Sequence, residues 1–459
     1  MTTQFETTPF TPTQTLPVGP ATWTFGDTFG VSTTTANDQW EPSVAVLEDG
    51  GFVVTWSSRH LGGANWEVMG QRYDAAGGAV GDEFTISGGS EGTEIYSAVT
   101  ALSGGGFAVT WQTGQVDGNP GGIQARVYSD DGAGGEVIAV TSTGFGDQSE
   151  PTITQLADGG FVVSWQSYNQ AGTNSYSDVY AQRFDASGQT VGDEVQVNQA
   201  IELSQGQVSL TGLSDGSYVA VYFSTLGDAQ GGGVMARHFD ASGNPGEPFP
   251  VNANTFNSQA LPSVTNLADG GYVVTWSSNQ QDGSSWGIYG QRFDAAGQPA
   301  GEEFQVNTTT ESQQLYSSVD GLADGGFVVA FNSYGAGGWT TLGQRYDADG
   351  QAVDGEFTIS QGPNNVPGFS GQHGGEAVAA TADGGFVTAW TAWNVDGSRN
   401  GVFARVVEGD LSDLPVETPP TDVVGVFVDD DGNVFTEYAD GSETAEFVDD
   451  SIFTQYADG

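Results

Sequence analysis

The chain contains no cysteine and no lysine. Without cysteine there is no disulfide staple and no thiolate chemistry, catalytic or metal-binding. Its nine cations are all arginines, set against 58 aspartates and glutamates, for a formal net charge of −49. A field of that sign repels phosphate backbones and anionic headgroups, which argues against nucleic-acid partners and direct membrane binding. It favours cations, calcium above all, and salty surroundings that screen the self-repulsion, so a marine, halophilic or extracellular setting is expected. No run approaches the roughly 18 apolar residues of a membrane span. The opening MTTQFETTPFTPTQTLPVGP lacks the basic and apolar regions of a Sec signal peptide, so the expected route out of the cell is a non-Sec one. Histidine is scarce: His60, His238 and His373 stand at non-equivalent places, and no HExxH, GxSxG or phosphate-loop motif occurs in a usable context.

What the sequence has in plenty is repetition. Seven arginines (Arg72, Arg126, Arg183, Arg237, Arg292, Arg345 and Arg405) recur in phrases such as GQRYDA and AQRFDA, at spacings of 53 to 60 residues. In phase with them run the aromatics of DGGF-like phrases, from Phe52, Phe107 and Phe161 to Tyr218, Tyr272, Phe327 and Phe386. A period of this size means an array of supersecondary units.

The fifth copy reads as four short strands. PSVTNL leads through an Asp-Gly turn to YVVTWSS, then WGIYGQRFD, then EEFQVN. Four-stranded antiparallel sheets repeated seven times predict an all-β fold, a seven-bladed β-propeller, since one 55-residue unit has too small a core to stand alone. The seventh copy stops after GVFARVV, and FGDTFGVST near the N-terminus matches the missing fourth strand. Residues 25–33 are therefore expected to complete the last blade of a propeller spanning 25–410. Residues 1–24 are expected to form an extended or disordered arm. The prolines of 411–421 mark a linker, and 422–459, with the echo GNVFTEYADG and SIFTQYADG, a small β-hairpin tail.

For the arginines the simplest role is structural, each facing an acid of the fourth strand such as Asp82-Glu83, Asp193-Glu194 or Glu302-Glu303. The second-strand aromatics (Trp56, Trp111, Trp165, Tyr222, Trp276, Phe331, Trp390) are expected between blades. Trp66, Trp286, Trp339 and Trp393, with Tyr168 and Tyr176, lie in or beside the loops between second and third strands, where aromatics can stack on sugar rings. Those loops also carry Asp117, Asp228, Asp282 and Asp396. Calcium needs six to eight hard oxygens, and the nearest approach to a ligand loop is Asp429 and Asp431 in VDDDGN or Asp347 and Asp349 in DADG. Propeller glycosidases keep paired carboxylates in the central pocket, but among 58 acids the sequence singles out no pair.

The phrase LADGGFVVTWSS…QDGS…GIYGQRFDAAG…GEEFQVNT resembles the tandem propeller repeats of large secreted bacterial proteins. These often accompany RTX-type calcium-binding repeats and leave by type I secretion. The resemblance covers about 370 residues, and the tandem G-G-x-G-x-D nonapeptide itself is absent. It implies a non-enzymatic extracellular adhesion module, calcium-stabilised, with a glycan or cell-surface protein as partner. A structural component of a surface layer, appendage or virion, self-assembling through the C-terminal tail, is the alternative. A carbohydrate-active propeller enzyme comes third, to be revived by a buried carboxylate pair with a raised pKa lining the channel.

Overall fold

A computed structural model describes residues 22–410, apart from 34–37, 60–65, 89–91, 115–120, 142–145, 169, 171–174, 200–201, 228–230, 336–337, 361–375 and 394–399, together with four strands of the tail. The chain divides into two compact units, one of them Thr22–Asp410, the other 1–21 with 411–459. The larger unit is all-β, a propeller of four-stranded antiparallel blades, and no helix occurs among the described residues.

The fifth repeat shows how the sequence makes a blade. Its strands are Gln259–Asn266, Tyr272–Asn279, Trp286–Phe293 and Phe304–Gln305. The first turn closes because Asp269 Oδ1 accepts the Gly271 amide at 2.9 Å while Gly270 takes φ of +80°, a conformation that favours glycine. After the third strand, Asp294 Oδ1 accepts the amides of Ala296 and Gln298, at 2.9 and 2.8 Å. The DGG and DAAG phrases are thus turns wound around an aspartate. Fourth strands vary: seven residues in Ala79–Thr85, Thr190–Gln196 and Ala352–Thr358, but two in Ile138–Ala139, Phe249–Pro250 and Phe304–Gln305.

Second strands are buried along nearly their whole length, and the aromatics at their middles join consecutive repeats. Trp56, in the first repeat, packs with Val387 and Ala389 of the last. Trp111 packs with Val53 and Val68 of the first, and Trp276 with Val219 and Val221 of the fourth. Each such body, fully removed from water, contributes on the order of 2 kcal/mol or more. The repeats of Gln148–Gln196 and Leu203–Pro250 are further joined into one eight-stranded sheet through parallel pairing of Ser175 with Leu203 and Ser177 with Ser204.

The arginines differ from expectation in two ways. They form two sets, because Arg72, Arg183, Arg292 and Arg345 directly precede the third-strand aromatic whereas Arg126 and Arg237 stand one residue earlier. A shift of one residue along a strand moves a side chain to the opposite face of the sheet. Accordingly Arg72 and Arg183 reach forward, donating to the carbonyls of Asp130 and Ala241 in the following repeat, at 2.8 and 2.7 Å. Arg237 and Arg405 reach back, to the carbonyls of Val197 and Ile359 at 2.9 and 3.1 Å. The acidic partner is also corrected. Arg72, Arg183, Arg292 and Arg345 pair with Asp49, Asp158, Asp269 and Asp324, the aspartates of the turn between first and second strands. Fourth-strand acids instead cap backbone between repeats: Glu303 accepts the Ala253 amide at 2.7 Å and Glu356 that of Thr309 at 3.1 Å.

The N-terminal strand Thr22–Phe25 pairs with Asp410–Val407, and Phe29–Gly30 with Ala404 and Phe403. Pairing starts three residues before the expected boundary, inside the segment read as an arm. Trp23 accounts for this: it packs against Phe357 and Phe386 at 5.4 and 5.0 Å, beneath the Arg345 guanidinium. The tail strands Val423–Val428, Val434–Tyr438, Glu443–Glu446 and Ile452–Gln455 form one antiparallel sheet.

Candidate active site in the axial cavity

First strands of the repeats carry a β-bulge near their start, as between Trp40 and Ser43 in the first and between Ile95 and Ala98 in the second. At the bulge a non-glycine residue adopts the left-handed conformation: Glu41, Tyr96, Glu150, Gln207, Leu261 and Tyr316, with φ between 54° and 59°. Such backbone costs on the order of 1 kcal/mol or more per residue and persists only where its surroundings hold it. Here a polar side chain of the preceding repeat accepts the strained amide in several copies. Ser57 Oγ takes that of Tyr96 at 3.2 Å, Gln112 Oε1 that of Glu150 at 3.4 Å, and Ser277 Oγ that of Tyr316 at 3.3 Å.

Because first strands line the axis, these bulges converge on it. Glu41, Tyr96, Gln207, Leu261 and Tyr316 line an axial cavity of about 230 Å³. Tyr96 also lines a more open depression of about 420 Å³, shared with Glu150, Asp147, Gln112 and Tyr168. Glu41 thus lines the axial cavity and Glu150 the depression beside it, with Tyr96 common to both. Glu41 is only 3% exposed. Burial pushes the Glu150 carboxyl up to about 7, so near neutrality it is substantially protonated. Burial, and then the charges of Glu150 and Asp147, raise the Tyr168 phenol as well. Gln166 Nε2 donates to the Tyr168 hydroxyl at 2.8 Å and holds it at the mouth.

A carboxylic acid that titrates near pH 7 is suited to general acid catalysis at a glycosidic oxygen. The sequence reading did not find these residues. A signal existed: each stands eleven residues before the DGGF aromatic, at a place where the repeat changes chemistry among Glu, Tyr, Gln and Leu.

The residues expected at a ligand site are distributed otherwise. Strand pairing of Gln39 with Ser58, and of Ser58 with Glu67, puts the second-to-third-strand loops at the same end of the sheets as the bulges. Trp66 stacks on Trp40 at 4.8 Å, with the Arg59 guanidinium 5.4 Å from its ring. Trp339 meets Tyr334 edge-on at 5.1 Å, Trp286 opens a third strand opposite Asn279, and Trp393 pairs with Asn400. Trp66, Trp286 and Trp339 line neither cavity; Tyr168, from the same loops, does. Asp347 Oδ1 accepts the Gln351 amide at 2.7 Å, which makes it a turn former, with Asp349 in the same turn. Asp429 and Asp431 lie outside the described residues, as do His60, His373, Asp117, Asp228 and Asp396. His238 shares a hydrogen bond of 2.8 Å with the Tyr272 hydroxyl and lines neither cavity.

No protein-family model and no curated protein matches the sequence. Solved structures do. The chain is similar to an α-L-arabinofuranosidase of Fusarium graminearum, at 15% identity over 70% of this chain and 94% of that one, with a TM-score of 0.49. A polysaccharide lyase is similar at 12% identity, over 83% and 91% of the two chains, with a TM-score of 0.49. A Hadza microbial sialidase is similar at 12% identity, over 82% and 68%, with a TM-score of 0.48. At such identity the likeness concerns the fold. Where the sequence led to a non-enzymatic adhesion module, these similar structures are carbohydrate-active enzymes by name. Glu41 and Glu150, 109 residues apart in sequence, come to adjoining cavities only through closure of the fold.

Proposed function

We propose that this chain is a carbohydrate-active enzyme that hydrolyses glycosidic bonds where the axial cavity of a seven-bladed ring meets the depression lined by Glu150 and Tyr168. The blade count rests on the seven sequence periods and on the seven hydrophobic clusters, each built from two consecutive repeats. The eight-stranded sheet then counts as two blades.

The observation that carries the reading is the Glu150 carboxyl, raised to about 7 by burial, in a depression that shares Tyr96 with the axial cavity lined by Glu41. In the reaction Glu150 gives its proton to the leaving glycosidic oxygen as the bond to the anomeric carbon breaks. Glu41 supplies a second carboxyl for the positive charge that develops at that carbon. Water supplies the hydroxyl that replaces the leaving group, and its proton returns to a carboxylate. Tyr168 at the mouth is placed to stack on a neighbouring sugar.

The test is release of reducing ends from a panel of glycans by the wild type, Glu150→Gln and Glu41→Gln. The expected result is turnover lost by roughly 100-fold or more in either variant, with folding unchanged. Equal turnover by all three proteins would overturn the assignment.

A further inference from the structure

Among the described residues, no arginine lines the axial cavity or the depression beside it. Third-strand arginines stand two strands out from the axis, in register with the far part of the first strand: Arg72 lies opposite Val53, which lies opposite Ala45, four residues beyond Glu41. The guanidinium groups of Arg72, Arg183, Arg237, Arg292, Arg345 and Arg405 are occupied with turn aspartates or with carbonyls of neighbouring repeats. Arg59 lies against Trp66. There is no lysine in the sequence. Among the described residues, the charged groups lining the two cavities are Glu41, Glu150 and Asp147, all acids, and no arginine or histidine lines either one.

We infer that the glycan accepted at this site carries no anionic group. The inference rests on the glycosidase reading above and narrows its substrate class. A sugar carboxylate, sulfate or phosphate entering the cavity would lose its hydration beside carboxylates, with no cation to replace the lost water. Recognition of such groups calls for forked guanidinium or ammonium donors. The surrounding field works the same way, since a net charge of −49 opposes the approach of a polyanion before contact. Neutral sugars bring hydroxyls, which Tyr96, Tyr316, Gln207 and the serines of the first strands can bond, and apolar ring faces, which suit Leu261 and Tyr168.

The probes are neutral pentose and hexose oligosaccharides, chitosan oligosaccharides, oligogalacturonate, a sulfated oligosaccharide and sialyllactose. Turnover of each by the full chain is measured at 0.15 and 1 M sodium chloride, with saturation-transfer NMR on Glu150→Gln as the binding readout. Expected is turnover confined to probes without anionic groups, with anionic probes slower by roughly 100-fold or more at both salt concentrations. Persistence of the gap in high salt assigns it to the cavity rather than to the long-range field. Faster turnover of an anionic probe, lost in Glu150→Gln, would overturn this inference and leave the glycosidase standing. Should Arg399→Ala or Arg59→Ala then abolish it, the anion-binding cation is one of the loop arginines. Neither turnover nor binding of any probe removes the glycosidase reading and this inference together.

Discussion

Arg405 donates from Nε to the carbonyl of Gly26 at 2.7 Å, across 379 residues of sequence. The same guanidinium reaches the Ile359 carbonyl at 3.1 Å and lies 5.0 Å from the Phe25 ring. One side chain thus binds the N-terminal strand, the last repeat and the repeat before it. Strand pairing adds to this closure, and Trp23 completes it by donating to the Gly384 carbonyl at 2.9 Å.

Weakening this closure should lower stability and expose a strand edge. Trp23→Ala is expected to cost about 2 kcal/mol, less than a fully buried tryptophan, read as a shift in the urea midpoint. A protein lacking residues 1–33 should aggregate through the uncovered edge of Asn400–Asp410 and be rescued by a synthetic peptide of residues 22–33. Unchanged solution behaviour without the peptide would show that the pairing is dispensable.

Glu150 predicts a pH dependence of defined sign. Its folded pKa, about 7, lies above the ordinary glutamate value, so the folded state holds this proton more tightly than the unfolded state does. The stabilisation from that proton is complete below the unfolded pKa and is lost as pH rises through about 7. Glu150→Gln should therefore raise the melting temperature at pH 8 relative to the wild type, and much less at pH 5. The reverse ordering would mean that the carboxyl is better solvated than its burial indicates. In the wild type, kcat/KM should decline above about pH 7 as the acid loses its proton.

The turn-aspartate pairs should differ in worth by their burial. Arg345 and Asp324 are 6% and 5% exposed, whereas Arg72 and Asp49 are 15% and 56% exposed. Breaking the first leaves a charge uncompensated in the interior, so Arg345→Ala should cost about 3 kcal/mol. Arg72→Ala should cost about 1 kcal/mol, most of it the lost bond to the Asp130 carbonyl. Chemical denaturation of the two variants checks the order.

Gly146 holds the mouth of the site. It adopts φ of +57°, and a Cβ there would run into the Tyr168 carbonyl oxygen. Gly146→Ala should displace Tyr168 and raise KM several-fold while kcat falls less, because the phenol meets the sugar beside the one being cleaved. A variant with unaltered KM would separate Tyr168 from substrate binding.

Much of the fold is written in the sequence, since turns and strands are local matters. Asp-Gly phrases wind their own hairpins, as at Asp269 and Gly270, and runs of β-branched and aromatic residues identify the buried second strands around Trp56 or Trp276. The missing fourth strand of the last repeat, and the matching phrase near Phe29, point to closure by the N-terminus, because equivalent strands need equivalent partners. Two things were decided only in three dimensions. Which way an arginine faces depends on one residue of register, so a single series in sequence became two sets that hold opposite neighbours, Arg183 forward to Ala241 and Arg237 back to Val197. The candidate site depends on where the bulges fall. Among 58 acids nothing local distinguishes Glu41 or Glu150. They stand at adjoining cavities because each is the left-handed residue of a first strand that closure of the fold carries toward the axis, where burial raises the Glu150 carboxyl.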